Sequence, residues 1–469
     1  MGAGAGNARR ECSLPAPRTF TIRTPGPLYV LLPAFLLGFV LVVMLGVLTG
    51  IVTGLSPGLH VNNVAAFVLA TEPAWAAFLA SILPEATAAS GVGIFLALYL
   101  LATAAAHAVF DFIPSVFLGA PSEDTALAAL PGHRLLRVGQ GAKAVALAAR
   151  GVVLGTAFAV LVLIPLRAVL SDPIGLADRF RPWSAVFLAF VLGALLVSES
   201  RGGKARRVWR AAWVQALAAA LGVATLRGPT PLDAGVILFP LFSGLFGIPS
   251  LLIGLRAGPG TIPRQRLEPL RAVNRTDVRS SIRGTLAGAS VSWLPGLSGG
   301  AAATLASLRV RKSTGPSQFM VVLGAVSSST SLLSVAVLYM IHRSRSGAAV
   351  AVDRLLPEVG SWTEPLRVPA SLAVLIVGTV LATAVSAPLA VRMARWVASR
   401  SSTADPRRVC GTSLVALVAL LAVVSGPVGL AIASLAAVVG LVPIALRVRR
   451  VHLMASLLVP VLIGYLAAA

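Results

Sequence analysis

Hydrophobic residues recur along the chain in runs of roughly 20 positions, separated by short polar stretches that are rich in arginine. A run of that length lets an α-helix cross the hydrocarbon core of a bilayer. The pattern predicts an all-α polytopic membrane protein of about 11 transmembrane helices, which places it in the cell membrane as a multi-pass protein. The predicted spans are 28–50, 89–112, 142–169, 183–200, 209–227, 233–255, 319–341, 368–391, 410–425, 426–446 and 452–468.

Arginine clusters set the predicted orientation, because short cytoplasmic loops carry an excess of Lys and Arg. Loop 256–283 holds seven arginines and is predicted to be cytoplasmic. Residues 1–27, with four arginines, predict a basic disordered cytoplasmic arm. Stretch 343–367 mixes acidic residues with its arginines and suits the outside. On this basis 28–50 leaves the cytoplasm and 89–112 returns.

Two apolar stretches, 51–83 and 284–308, do not fit as simple crossings, because counting them as spans places basic clusters on the wrong side. Each is predicted as a re-entrant hairpin that enters and leaves on one face. Both contain a Pro-Gly-Leu triplet, in "SPGLHVNN" and "LPGLSGG", and the two prolines lie 238 residues apart. Paired broken helices are typical of inverted-repeat transporters. We therefore predict a first membrane repeat at 28–255 and a second at 284–469.

The two Pro-Gly triplets predict the substrate site. Proline removes a backbone donor and glycine frees the backbone dihedrals, so a helix opens and its end groups become available. A helix N-terminus presents N–H groups to an anion, although Pro and Gly often only kink a membrane helix. The predicted substrate-binding residues are Pro57, Gly58, His60, Asn62, Asn63, Pro295, Gly296, Ser298, Gly299 and Gly300.

Other polar residues in apolar surroundings suggest a coupling-ion site. Asp111 lies four residues after His107, on the same helix face, and a carboxylate within a span is a functional candidate. It also lies near the end of its predicted span, where an interfacial Asp needs no role. Ser327 and Ser328 begin the run "SSSTSLLS", whose hydroxyls suit either a cation or close helix packing. Coupling by Na⁺ or by H⁺ stays open, and no cofactor is predicted.

Composition narrows the function classes. The net charge is +23, yet charged residues are only 12% of the chain and the mean hydropathy is +0.88. The arginines follow loops between spans, without the basic stripe of a nucleic-acid site, so no nucleic-acid partner is predicted. Two cysteines are too few for a disulfide framework. The five histidines lack metal-ligand spacing, and no catalytic motif stands out, so an enzyme is not predicted.

Five motifs carry a family resemblance: "GLSPGLHVNNVA", "FDFIPSVFLGAPSEDTALAALPGHRLL", "FPLFSGLFGIPSLL", "SWLPGLSGGAAATLA" and "RRVHLMASLLVPVL". Together they resemble the TctA-like permeases of the tripartite tricarboxylate transporter family, particularly an archaeal branch. The resemblance runs from about residue 28 to the C-terminus. It implies the large membrane subunit of a cation-coupled secondary transporter for small organic carboxylates. A small membrane subunit and an extracytoplasmic solute receptor are its implied partners, and Pro57-Gly58 and Pro295-Gly296 would line the substrate site.

Two alternatives remain at this point. "PGLSGG" is similar to a motif of membrane proteins that recycle polyprenyl phosphate carriers, which predicts a lipid anion as ligand. A membrane scaffold or channel without coupled transport is the other, although a channel would show a continuous polar lining. The substrate and the oligomeric state, including a homo-oligomer, stay open.

Overall fold

The protein is almost entirely helical in the computed structural model, which describes residues 28–56, 59, 61–117, 129–197, 199–200, 205–232, 234–256, 263–269, 271–294, 315–343, 346–356, 359–400 and 406–467. No β-strand occurs among these residues. A π-helix at Ser243–Gly247 and 3₁₀ turns at Arg181–Trp183 and Arg450–Met454 interrupt the α-helices. The α-helices are α1 Leu28–Leu55, α2 Val61–Ala70, α3 Glu72–Ile82, α4 Pro84–Ser90, α5 Val92–Phe110, α6 Phe112–Phe117, α7 Ala129–Arg137, α8 Gly141–Leu170, α9 Leu176–Phe180, α10 Ser184–Val197, α11 Ala205–Leu226, α12 Ala234–Phe242, α13 Ile248–Arg256, α14 Arg275–Ser292, α15 Pro316–Ile341, α16 Gly347–Leu355, α17 Ala370–Arg400, α18 Pro406–Leu446 and α19 Ala455–Ala467.

Ten helical segments of the described chain are long and apolar enough to cross a bilayer. The prediction of an all-helical, multi-pass membrane protein is confirmed. The expected 11 spans differ from these ten segments in one place. There the predicted spans 410–425 and 426–446 form a single helical element, Cys410–Leu446.

Gly426 divides this element, because its φ of 59° is left-handed and interrupts the helix. Cys410 lies against Gly254, and Gly440 lies against Leu245. The two residues of α18 are 30 positions apart, about 45 Å along a straight helix, whereas their two partners are nine positions apart, about 14 Å. The chain therefore reverses at Gly426, and both halves pack on the same helical segment.

The helices form two bundles, each around its own buried clusters. The first bundle contains α1, α5, α8 and α14–α17 around two large apolar clusters. The second contains α10–α13, α18 and α19 around three smaller ones. The short helix α2 packs against α5 and α16 of the first bundle and against α12 of the second. The segment after the first Pro-Gly triplet therefore lies where the two bundles meet.

Glycine allows α1 to pack directly on α5. Gly46, Gly50 and Gly54 recur every four residues and so form a stripe on one face of α1. Gly46 lies against Tyr99, and Gly54 lies against Phe110. The residue numbers rise together in the two helices, so α1 and α5 run parallel. This corrects the predicted path of the chain, in which spans 28–50 and 89–112 cross the membrane in opposite directions.

The parallel packing also corrects the predicted hairpin at 51–83. Residues 51–55 complete α1, and Leu83, after α3, lies against Gly38 near the start of α1. Leu55 and Gly38 are 17 residues apart, about 26 Å along the helix. The segment from 56 to 83, which contains α2 and α3, therefore travels back across most of a bilayer thickness of about 30 Å. It does not enter and leave on one face, and no single helix in it is long enough to cross.

The basic loop crosses one end of the first bundle. Gln265 accepts a hydrogen bond from Gly141 N (2.8 Å) and donates to Leu136 O (3.1 Å), and Arg266 N donates to Gly139 O (2.7 Å). The late part of α5 shares a buried cluster with α7 and the first half of α8, which lie at this end. Because α1 is parallel to α5, α1 starts at the opposite end. Residue 28 and the basic loop therefore lie on opposite sides of the membrane. The predicted path of the chain had placed both on the cytoplasmic side.

A second parallel pair repeats the first. α14 packs on α15 through Gly284 and Gly288, which lie 238 residues after Gly46 and Gly50, the same interval that separates the Pro-Gly triplets. A Cβ added to Gly46 would lie 2.6, 2.7 and 3.1 Å from a carbonyl O, an alanine Cβ and a backbone N of α5. A Cβ added to Gly284 would lie 2.6, 2.7 and 3.2 Å from the same three kinds of atom in α15. These atoms are Tyr99 O, Ala102 Cβ and Thr103 N for Gly46, and Val322 O, Ala325 Cβ and Val326 N for Gly284.

The two parallel pairs point in opposite directions. The first half of α5 shares a buried cluster with the last part of α15, whereas its end and α6 share the other cluster with the start of α15. α5 and α15 are therefore antiparallel, and so are the pairs to which they belong. Each pair places a Pro-Gly-Leu triplet directly after its first helix.

Candidate substrate and ion site

The chain approaches both Pro-Gly triplets from one region of the first bundle. Leu55, two residues before Pro57, packs against a buried cluster that also contains Val291, four residues before Pro295. Apart from Leu59, the triplets lie outside the described residues. The predicted substrate-binding residues that lie outside them are Pro57, Gly58, His60, Pro295, Gly296, Ser298, Gly299 and Gly300, and for Asn63 only the backbone is described.

Asn62 is the predicted substrate residue whose side chain the structure places. It is half-buried in the first turn of α2, and a Cβ added to Gly347 at the start of α16 would lie 2.5 Å from its Oδ1. Its neighbour Val61 is buried with Ala104 and Ala348. The side-chain amide therefore lies next to the first residue of α16, at the junction of the two bundles. Its role in binding stays a prediction.

Asp111 is buried, with 5% of its surface exposed, at the joint between α5 and α6. The two helices form one span, Val92–Phe117, which continues six residues past Asp111. Asp111 therefore lies six residues before the described end of its span, whereas the predicted span ended at residue 112. Gly54 of α1 packs on the backbone of Asp111, and a larger residue there would meet Asp111 N at 3.1 Å.

Thr53 and His107 join Asp111 in a buried polar group at the end of α1. His107 Nδ1 lies 3.1 Å from Thr53 Oγ1, and both residues are more than nine-tenths buried. Thr53 was not predicted from the sequence. The spacing of Gly46, Gly50 and Gly54 could have indicated it, because a residue next to a close helix crossing faces the neighbouring helix.

The two predicted serine ligands differ in their surroundings. Ser328 is buried, its Oγ lies 3.4 Å from Ala325 O, and a Cβ added to Gly155 of α8 would lie 2.6 Å from it. Ser327 is half-buried. Ser328 therefore packs closely against Gly155, and the ion-binding role of both serines stays a prediction.

A second polar group fixes the 3₁₀ turn before α19 to α10 and α11. Gln215 Nε2 donates to His452 Nδ1 (3.3 Å), so the ring is neutral with its proton on Nε2, which donates to Glu199 Oε1 (3.3 Å). Arg449 donates to the same carboxylate from its backbone N (3.2 Å) and its Nε (2.9 Å). Burial acts to raise the pKa of the Glu199 carboxyl, but these hydrogen bonds and the Arg449 charge outweigh it and lower the pKa below its ordinary value.

Arg450 explains the irregular helix in "FPLFSGLFGIPSLL". Its guanidinium donates to Phe246 O and to Ser250 Oγ, both at 2.8 Å. Phe246 belongs to the π-helix, whose backbone hydrogen bonds join residues five positions apart instead of four.

Arg167 holds the opposite end of the first bundle. It is 2% exposed at the end of α8 and donates to three backbone carbonyls: Trp362 O (2.9 Å), Asp172 O (3.2 Å) and Thr363 O. Within the described ranges, no group of three His, Cys, Asp or Glu residues could hold a metal ion.

These features define a multi-pass helical membrane protein with buried polar groups in both helical bundles. Residues 40–455 match the Tripartite tricarboxylate transporter TctA family, and the chain belongs to that family. An uncharacterized protein of Methanocaldococcus jannaschii is 28% identical over 257 residues, which cover 55% of this chain and 62% of that protein. The match thus spans less than two thirds of that relative. No solved structure matches the chain. The resemblance predicted from the motifs is confirmed.

Proposed function

We propose that this chain is the permease subunit of a secondary active transporter that moves a small organic anion, a di- or tricarboxylate, by alternating access. The repeated helix crossing carries the proposal: Gly46 and Gly284 meet the same kinds of atom in parallel pairs of opposite direction. Each pair leads directly into a Pro-Gly-Leu triplet. Two inverted repeats with paired broken helices are the arrangement in which secondary transporters bind substrates.

Further packing supports two inverted repeats. α8 packs on α15, and α17 packs on α5, so the third long helix of each half contacts the second long helix of the other half. Each half then contributes three helical segments to the second bundle. These are α10, α11 and α12–α13 in the first half, and the two parts of α18 with α19 in the second.

The substrate would lie between residues 57–63 and 295–300. Opened helix ends supply N–H groups for carboxylate oxygens, and Asn62 lies at the junction where one bundle can move against the other. His60, Asn63 and Ser298 would add side-chain hydrogen bonds. Asp111, Ser327 and Ser328 are proposed to serve the coupling ion, Na⁺ or H⁺.

The family membership also suggests partners. Members are named for a tripartite system, and we propose a small membrane subunit and an extracytoplasmic solute receptor as partners of this chain. The exposed apolar faces of the spans meet lipid in this proposal, or a second copy of the chain.

Ligand-induced thermal stabilisation of the purified protein tests the function. A ligand that binds the folded state raises its stability by mass action. The ligands are di- and tricarboxylates with and without Na⁺, and a polyprenyl phosphate. We expect stabilisation by a carboxylate, and its loss in Asn63→Ala.

Asn274→Ala is the matched control. Asn274 lies in the basic loop, 21 residues before Pro295 in the sequence, and caps α14 by accepting from Asp277 N (2.9 Å). This variant should melt earlier, because loss of an N-cap costs about 1 kcal/mol, yet keep the carboxylate response. Stabilisation by the lipid phosphate alone would replace the proposal with a lipid-carrier function.

A further inference from the structure

The helix α16 reaches into the molecule, although the charges of stretch 343–367 suit the outside. At the start of α5, Gly93 packs on the carbonyl of Leu355, the last residue of α16. Eleven residues further along α5, Ala104 shares a buried cluster with Ala348, the second residue of α16. This distance is about 16 Å along α5, and Ala104 lies at the middle of the span Val92–Phe117. The start of α16 therefore lies about halfway through the span, and its end lies level with the start of α5.

The chain enters and leaves this region at one end of the first bundle. α15 is antiparallel to α5, so its last turn also lies level with the start of α5. There Ser171 Oγ donates to Met340 O (2.7 Å), and Trp362 N donates to Tyr339 O (2.9 Å). The chain thus leaves α15 at this end, reaches the middle of the span at Gly347, and returns along α16. This end is opposite the basic loop, and the distribution of arginines assigns it to the outside.

The sequence of α16 suits such a path. Its nine residues form a helix of about 14 Å, about half of a hydrocarbon core of about 30 Å. Ser346 caps the helix by accepting from Ala349 N (3.1 Å), so this N–H group does not need water. The charged side chains of Asp353 and Arg354 are exposed near the end of the helix. The buried side chains are small or apolar, and they are those of Ala348, Ala349, Ala351, Val352 and Leu355.

The start of α16 lies directly against the start of α2. A Cβ added to Gly347 would lie 2.5 Å from Asn62 Oδ1 and 3.1 Å from Asn62 Cβ. Next to this contact, Val61 is 5% exposed and Ala348 is 8% exposed. The two helix starts therefore leave no space for a solute between them. Because Asn62 is a predicted substrate residue, α16 lies between the predicted site and the outside.

We infer that α16 is a re-entrant helix that enters from the outside and forms the outer gate of the substrate site. The contact of Gly347 with Asn62 is its closed position. A solute from the outside reaches residues 57–63 only when the start of α16 moves away from α2. The gate rests on the proposed transport function, whereas the re-entrant path of α16 does not.

Crosslinking of α16 to α2 tests the gate. In a Cys12→Ser, Cys410→Ser background, Asn62→Cys and Gly347→Cys should form a disulfide under mild oxidation, which mass spectrometry detects. Their Cβ atoms would lie 3.1 Å apart, close to the separation of about 3.5–4.5 Å in disulfides. Val61→Cys with Ala348→Cys spares Asn62 and serves for transport. A short bifunctional methanethiosulfonate should lower its carboxylate uptake into proteoliposomes at least tenfold, and dithiothreitol should restore it.

Gly254→Cys with the native Cys410 is the matched control. A Cβ added to Gly254 would lie 3.3 Å from Cys410 Cβ, and both residues belong to the second bundle. The same crosslinking should leave uptake at its value before treatment. Unchanged uptake in the crosslinked Val61→Cys, Ala348→Cys variant overturns the gate.

Thiol labelling tests the re-entrant path without transport. A membrane-impermeant reagent added outside should label Asp353→Cys rapidly and Ala348→Cys at least tenfold more slowly. Equal rates, or labelling of Asp353→Cys only from the cytoplasmic side, overturn the path. Wild-type protein that takes up no carboxylate rejects the proposed function, and the labelling rates then still decide whether α16 is re-entrant.

Discussion

Asp277 of α14 and Arg150 of α8 form a buried ion pair of 2.5 Å at the end of the molecule that carries the basic loop. The second carboxylate oxygen of Asp277 lies 3.2 Å from Arg271, and Arg150 also donates to Arg271 O. This network joins the two helices and the loop. It fixes the start of the helix that leads into the second Pro-Gly triplet.

Asp277→Asn should therefore destabilise the protein strongly. Removing one partner leaves the other charge buried and unpaired, which costs roughly 3–5 kcal/mol. Thermal unfolding of the purified variant measures the loss. Glu364→Gln is the control, because its pair with Arg367 is exposed and such pairs contribute about 0–1 kcal/mol. Equal losses in the two variants would contradict the assignment of a buried network.

Glu199 predicts a pH-dependent contribution to stability. Because its folded-state pKa is lowered, its contribution is fully present above the ordinary carboxyl pKa of 4.5 and is lost as the pH falls through the folded-state pKa. Glu199→Gln should melt earlier than the wild type near neutral pH. The difference should shrink as the pH falls below 4.5. A melting difference that stays constant with pH would argue against a charged Glu199 held by Arg449.

Substitution of Gly50 tests how much the close crossing of α1 and α5 contributes to stability. A Cβ there would lie 2.5 Å from Thr103 O, a backbone atom that cannot move without moving the helix. Gly50→Ala should therefore lower stability by about 1–3 kcal/mol through overpacking. Gly193→Ala serves as the comparison, because nothing lies within 4 Å of its added Cβ and alanine favours the helix. Thermal melting of both variants should move in opposite directions.

Arg167→Lys should loosen the segment from 359 to 364. A lysine keeps the charge but lacks the planar fork that reaches three carbonyls at once. Hydrogen exchange should become faster at Trp362, whose backbone N donates to Tyr339 O (2.9 Å). Arg354→Lys, at an exposed position on α16, should leave the exchange unchanged. Unchanged exchange in both variants would show that Arg167 does not hold this segment.

The sequence indicated the helices more reliably than their directions. The run of apolar residues defined α8, α15 and α17 because each is a single long span. The boundary between the predicted spans 410–425 and 426–446 coincides with a break in the helix, since Gly426 adopts the left-handed backbone that glycine tolerates. In contrast, the segment 56–90 consists of short helices. None of them is long enough to be predicted as a membrane crossing. The predicted direction of span 89–112 relative to 28–50 therefore rested on the charge pattern alone, and it was wrong.

The sequence could likewise predict some features of the candidate site but not others. Its Pro-Gly triplets are visible in the sequence because their composition conflicts with a lipid-facing helix. The buried position of Asp111 could not be predicted, because α5 continues into α6 through a segment that begins with Asp-Phe-Ile-Pro.

The crossing of α8 and α15 limits which parts of the molecule can move. Gly151 lies against Val321 O, and Gly324 lies against Ala148 O, so the two backbones touch without a side chain between them. A larger side chain at Gly151 or Gly324 would meet a backbone carbonyl of the other helix and push the two helices apart. α8 and α15 come from different halves of the chain, so this backbone contact joins the two halves directly. In the proposed transport cycle, the other helices would move relative to this pair.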